Sequence, residues 1–252
     1  MTIKELFMKG YELFFEGINS IFADIRATQG GNIEKAAEII AEAVIQDGLV
    51  HIFGTGHSNI IAEEVFGRAN TLAPVNQVVD LSLAGSVNTV QSFYMERVEG
   101  IGELIFEHTR PQPQDVFLVI SNSGRNAVPI DFARSAKEHS HPVIVETSVA
   151  FSLSQPSRHS SGKRLLDYAD VILDNRTPFA DRVVKVEGMK PGLGSASGIA
   201  GSLLVHATLV EAAMQIKARG IEPPVFMHGN LDGGMEYNQA LLDRFWWRIR
   251  NW

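Results

Sequence analysis

Leu49–Asn70 reads LVHIFGTGHSNIIAEEVFGRAN, and this stretch decides the fold. Leu49–Phe53 is a short apolar strand. It runs into Gly54-Thr55-Gly56-His57-Ser58, and a helix begins near Ser58. Strand, glycine turn and helix in that order build an anion site. Glycine lets the backbone turn tightly and approach a ligand. The free N–H groups of the helix's first turn point at that ligand, and the helix dipole favours its negative charge. The hydroxyls of Thr55 and Ser58 add donors. The expectation is a phosphate or carboxylate held above the end of a parallel strand.

A second turn of the same kind lies downstream. Val116–Ser121 (VFLVIS) is a buried strand that enters Asn122-Ser123-Gly124-Arg125-Asn126, and a helix follows from about Ala127 to His139. Pro129 sits in its first turn, where proline is tolerated. Val75–Val79, Val143–Thr147 and Val171–Leu173 read as further strands, with Val183–Val186 as one more. Glu99–Thr109 reads as a helix, and residues 148–164 as a loop of serines and basic residues. A long helix runs from the Pro191–Ser197 turn to about Arg219. Alternating strands and helices imply a parallel sheet covered on both faces. Such sheets bind ligands beyond the carboxyl ends of their strands. One glycine turn alone reads as an ordinary capped helix. Two at successive strand ends favour a shared ligand site.

Upstream, Thr2 and Glu5 form a capping box, and apolar residues at helical spacing predict a helix over residues 3–28. Its broad apolar band serves either the core or contact with a second subunit. Gly30-Gly31 breaks the chain, and Asn32 caps a helix over Ile33–Gln46. Downstream, Pro223-Pro224 turns the chain into a tail that ends in an aromatic, basic helix. No domain boundary is visible. The chain is expected to form a single domain: an N-terminal helix (1–31), a core (32–219) and a tail (220–252).

The 252 residues are 45% hydrophobic and 20% charged, ordinary for a globular protein with a sizeable core. With no cysteine, a disulfide framework, a thiolate nucleophile and a Cys-ligated metal are excluded. Net charge is −7, without the basic face of a nucleic-acid binder. Glutamates interrupt the first residues, unlike a signal peptide. No uninterrupted apolar run approaches the ~20 residues of a membrane span. A cytoplasmic location without membrane contact is expected. A dinucleotide fingerprint fails at Asn59, which stands where its third glycine would be. A Walker loop and a G-x-S-x-G elbow are absent, and His139-x-His141 lies in a turn beside Pro142.

GTGHS, then VISNSGRN with a helix and PVIVETS, resemble the SIS (sugar isomerase) domain of phosphosugar isomerases and phosphosugar-binding proteins. The likeness covers roughly residues 35–215. The Pro-Pro-Val-Phe tail, with Asn230, Gly233-Gly234 and Asn238, resembles a phosphoheptose-isomerase-like branch of that superfamily. The resemblance implies a three-layer αβα sandwich around a five-stranded parallel, flavodoxin-like sheet, with helical extensions at both ends. It implies a sugar phosphate as ligand and a homodimer or homotetramer. No cofactor and no metal are expected, since the zinc-binding Gln and the extra His of the heptose enzymes fall at Gly198 and Ile60. Ser58, Ser121, Ser123 and Asn126 would hold the phosphate, with the backbone of Gly56, His57 and Gly124 beside them. Ser195 and Ser197 in GSAS occupy the place of the family's third Ser/Thr pair.

Aldose–ketose isomerisation needs a base near the C2 proton and a group that moves protons between oxygens. By resemblance, Glu64 and His206 are the catalytic candidates. Glu64 lies six residues after Ser58, where the enzymes place their glutamate ten after; Arg68 holds that position here. Four residues rotate a helix by about 400°, so Glu64 faces nearly the same way, one turn of ~5.4 Å closer to the phosphate. The plainer readings are solvated acids for Glu63 and Glu64, and a hydrogen-bonded core histidine for His206. His57 is a third candidate. Arg158, Lys163 and Arg164 are loop cations, and His228 lies in the tail. The favoured function is a sugar-phosphate isomerase. A non-catalytic phosphosugar sensor and an amino-sugar-phosphate lyase or etherase are the alternatives, because fold alone does not choose.

Overall fold

A computed structural model describes residues 9–249. The first helix, α1, spans Gly10–Thr28. The Thr2–Glu5 capping box lies outside the described residues. The next helix, α2, spans Gly30–Ile45. The glycine pair therefore forms the first turn of α2 instead of a loop. Gln29 alone separates the helices, and Asn32 donates to the Gln29 side chain at 3.2 Å instead of capping. Asn32 can enter the helix because Gln29 has already turned the chain.

Five strands follow: β1 (Val50–Gly54), β2 (Val75–Val78), β3 (Val116–Ile120), β4 (Val143–Thr147) and β5 (Val171–Asp174). They pair in parallel in the order β2-β1-β3-β4-β5. Between and after them lie α3 (Ser58–Val65), α4 (Thr89–Met95), α5 (Ile101–Thr109), α6 (Ala127–Glu138), α7 (Val149–Leu153), α8 (Ser197–Ala218) and α9 (Gly234–Phe245). Val183–Val186 is no strand; Val184 makes a single antiparallel bridge with Leu193. The segment closes on its own return, so it never reaches the sheet. The stretch expected to be a plain loop, 148–164, contains α7. Ser148 caps that helix by accepting from the Phe151 N–H at 3.3 Å.

The period of two along the strands separates two apolar layers. Val116, Leu118 and Ile120 of β3 face α2, α3 and α8, in one core with Ile40, Ile61 and Leu204. Phe117 and Val119 face the other way, in a core with Phe106 of α5 and Phe132 of α6. A third cluster of Leu49, Ala73, Phe226, Phe245 and Ile249 joins the tail to the amino ends of β1 and β2. α8 is long and apolar enough to cross a membrane by length and composition. Here one side of it is packed against α2 and α3.

One buried carboxylate ties the amino ends of the strands together. Asp115, just before β3, accepts from the Leu49 N–H at 2.8 Å, the Gln112 N–H at 2.7 Å, and His51 Nε2 at 3.1 Å. Arg248 of the tail pairs with the same carboxylate. His51 Nδ1 meets Asn76 Nδ2 of β2 at 2.8 Å. Burial alone would raise the Asp115 pKa, but its His51 contact and backbone donors hold it at about 2. A depressed carboxyl adds stability that is present above its ordinary pKa of 3.8 and is lost as pH falls towards 2. Asp115→Asn should cost about 3 kcal/mol at neutral pH, since His51 and Arg248 lose a buried partner. Urea denaturation reads this loss, and the gap to wild type should narrow as pH falls from about 4 to about 2.

Candidate functional site

The sheet order reverses direction between β1 and β3, and a crevice opens there at the carboxyl ends of the strands. Both glycine turns sit at its rim. Gly56 and Gly124 hold φ of 58° and 57°, a backbone region that side chains rarely adopt. In the first turn, the Gly56 N–H donates to the Leu83 carbonyl at 2.8 Å. In the second, the Gly124 N–H donates to the Ser121 carbonyl and hydroxyl at 3.1 and 3.2 Å. The Gly124 N–H is thus committed within its turn, and the Gly56 N–H to the segment after β2. The hydroxyls of Ser58 and Ser123 have no protein partner among the described residues.

A cleft of about 360 Å³ lies beside β1, between the starts of α3 and α8. His57, Ser58, Ser195 and Ser197, all expected from the sequence, line it. Asn122 and Glu146 line it as well and carried no expected role. Asp181 gives the GSAS turn its form. Its carboxylate accepts from the Ala196 and Ser197 N–H groups, both at 2.9 Å, and from the Ser197 hydroxyl at 2.7 Å. Ser195 also donates its hydroxyl to Asp181. An internal carboxylate thus holds the positive end of α8.

Glu146 is the penultimate residue of β4 and is 1% exposed. One of its oxygens accepts from Asn175 Nδ2 at 2.8 Å. Gly201 of α8 makes room for it, because a Cβ there would stand 3.1 Å from Glu146 Oε1. Burial pushes its pKa up to about 8; the Asn175 bond opposes this, while Asp174 and Asp181 add to it. At neutral pH it is a protonated carboxyl facing a cleft, able to donate one hydrogen bond. Its only signal in the sequence is one acid closing the apolar run of PVIVETS.

Asn126 does not reach into the cleft. Its Nδ2 donates to Glu96 Oε1 at 2.7 Å, and its Oδ1 accepts from Arg158 Nη1 at 2.8 Å. Thr55 donates to the other Glu96 oxygen at 2.8 Å, so Glu96 joins the two turns. Burial raises the Glu96 pKa against the Thr55 and Asn126 bonds, which lower it.

Glu64 and His206, the two catalytic candidates, come together, with His206 Nε2 3.7 Å from Glu64 Oε1. Neither lines the cleft. They lie one turn further along α3 and α8, where Glu64 also pairs with Arg68 at 3.1 Å. The His206 side chain is 35% exposed, so it is no core histidine. His228 belongs to the tail, which packs at the opposite end of the sheet. Arg164 is held by the Ser152 and Gln155 carbonyls. Among the described residues, no group of three or more metal-binding side chains gathers.

Comparison with known proteins finds a SIS domain over residues 13–148. The UPF0309 protein GK1441 of Geobacillus kaustophilus is 36% identical over 94% of this chain and 94% of its own length. The phosphoheptose isomerase GmhA of Neisseria gonorrhoeae superposes with a TM-score of 0.56 at 18% identity, covering 84% of this chain and 98% of its own. The NanR protein of Vibrio vulnificus, solved with ManNAc-6P, superposes with a TM-score of 0.52 at 14% identity, over 95% of this chain and 71% of its own.

The raised Glu146 makes a pH prediction. Between about 4.5 and 8 the unfolded chain ionises this group and the folded chain does not, so folding stability falls as pH rises. The slope is about 1.4 kcal/mol per pH unit. Urea denaturation across that window should show the fall in wild type, and Glu146→Gln should remove it.

Proposed function

We propose that this chain, which belongs to the SIS-domain family, binds a sugar phosphate at the carboxyl ends of β1 and β3 and interconverts its aldose and ketose forms. The observation that carries this reading is the cleft itself. Serine hydroxyls stand at its rim, and a neutral buried carboxyl lies in its wall. In this reading the phosphate meets the Ser58 and Ser123 hydroxyls. The sugar extends along the groove between α3 and α8. Six residues of helix separate Ser58 from Glu64, a rise of about 9 Å, which an extended sugar-phosphate chain matches.

Glu64 then takes the C2 proton and returns it to C1, and His206 moves the proton between the two oxygens. Glu146 donates a hydrogen bond to a sugar oxygen. The chain acts as a homo-oligomer in this proposal. Ile199, Leu203, Val210 and Met214 form an exposed apolar stripe on α8 with His206 among them, and a second copy covers it. One observation favours a sensor instead: the Glu64–His206 pair stands outside the cleft lining.

Deuterium exchange decides between the two. A panel of aldose 5- and 6-phosphates in deuterated water should exchange the C2 proton, read by proton NMR. Glu64→Gln should slow that exchange by about 10²–10⁴-fold. Saturable binding with no exchange on any sugar supports the sensor, and no binding at all removes both readings. Val210→Asp with Met214→Asp should lower the mass in solution by light scattering; an unchanged mass counts against the α8 interface.

A further inference from the structure

Away from the cleft lining, three arginines gather around Arg158, with Glu96 beside them. Arg97 follows α4 and lies over the Phe93 ring, 4.3 Å from its centroid. Arg125 sits inside the second turn. Arg158 comes from the loop after α7, and its N–H donates to the Arg125 carbonyl at 2.9 Å. Its Nη1 reaches Asn126 Oδ1 at 2.8 Å. The Nε atoms of Arg97 and Arg125 are shielded from water and have no hydrogen-bond partner.

A buried charged donor without an acceptor is costly. Glu96, the acid at the centre, is already engaged by Thr55 and Asn126. The nearby Glu99 is engaged by the N–H and hydroxyl of Ser160. Arg97 and Arg158 thus share the field of one carboxyl, and Arg125 joins them beside Arg158. Burial lowers the Arg158 pKa, and the charges of Arg125 and Arg97 lower it further. Guanidinium forks match the paired oxygens of a carboxylate or phosphate.

We infer that Arg97, Arg125 and Arg158 form a second oxyanion subsite, which takes an acidic group of the ligand other than the phosphate at the serine turns. The inference deepens the phosphosugar reading and rests on it. Arg125 stands between Gly124 and Asn126, so the arginine group is built into the same turn that carries Ser123. The ligand class is a sugar phosphate that carries a carboxylate or a second phosphate. A purely structural role, pinning the 155–163 loop to the second turn, would need shape and one hydrogen bond but no excess of charge.

Calorimetry on the full-length protein separates these roles. 6-Phosphogluconate should bind at least tenfold tighter than glucose 6-phosphate, which lacks the carboxylate. Arg97→Gln, which leaves the Arg158–Asn126 bond in place, and the double variant Arg125→Gln/Arg158→Gln should each abolish the preference. Ser123→Ala should weaken both ligands alike. Equal affinity in wild type, or a preference that survives in both arginine variants, overturns the inference. If neither these two sugars nor any aldose phosphate of the exchange panel binds, the phosphosugar reading has failed and sulfate decides. Sulfate binding that is lost in both arginine variants upholds the subsite, and binding equal in all three proteins overturns it. Melting temperatures near the wild-type value show that the variants are folded.

Discussion

All five strands run the same way, so their carbonyl ends and the helix starts that follow crowd onto one rim. The sheet order then reverses between β1 and β3, which parts the connections to either side and leaves a crevice. Everything at the candidate site follows from that arrangement. Serines and asparagines sit there because turns at strand ends use them. Unpaired donors sit there because helix starts expose them. The opposite rim has the reverse task of satisfying the amino ends of the strands. Asp115 does so through two backbone N–H groups, and His51 and Arg248 contact the same carboxylate. The tail belongs to that rim, so anchoring and the candidate site lie at opposite ends of the sheet.

Charge on the binding rim is arranged locally, against the overall balance of −7. Asp181 neutralises the start of α8 and accepts from the Ser195 and Ser197 hydroxyls. Glu96 links the two glycine turns and draws in Asn126. Glu146 carries a proton at neutral pH and adds no charge to the cleft wall. What remains positive is the arginine group and the backbone around the turns. An acidic protein can therefore present a cationic rim, because a bound anion responds to groups within a Debye length, about 8 Å at physiological salt.

The sheet, its two glycine turns and the long α8 were legible in the sequence, since period, glycine spacing and strand ends are local properties. Ser58 and the GSAS serines were legible as cleft residues for the same reason. The partners of those residues were not. Asp181 is fourteen residues from Ser195 and reaches it only because the chain closes on itself at the Val184–Leu193 bridge. Asn126 looked like a ligand group because its commitment to Glu96, thirty residues away, has no mark in the sequence. Glu146 was hidden inside an apolar strand, where an acid signals burial only once the helices over it are known. The helix break at Gly30-Gly31 was misplaced because glycine in a first helical turn costs little when tertiary contacts hold the helix.

The protonated state of Glu146 also bears on what the cleft accepts. Burial sets its pKa first, and the neighbouring carboxylates Asp174 and Asp181 reinforce it. An anion bound beside Ser58 would add one more negative charge near the same group and make its ionisation harder. Ligand and proton then favour each other, as linkage requires: whatever raises the pKa on binding is bound more tightly by the protonated form. A cleft built this way holds a neutral hydrogen-bond donor where a free carboxylate would repel the ligand. Gly201 allows it, because a Cβ there would stand 2.6 Å from Ile61 Cδ1 and 3.1 Å from Glu146 Oε1 and crowd the space that the carboxyl uses.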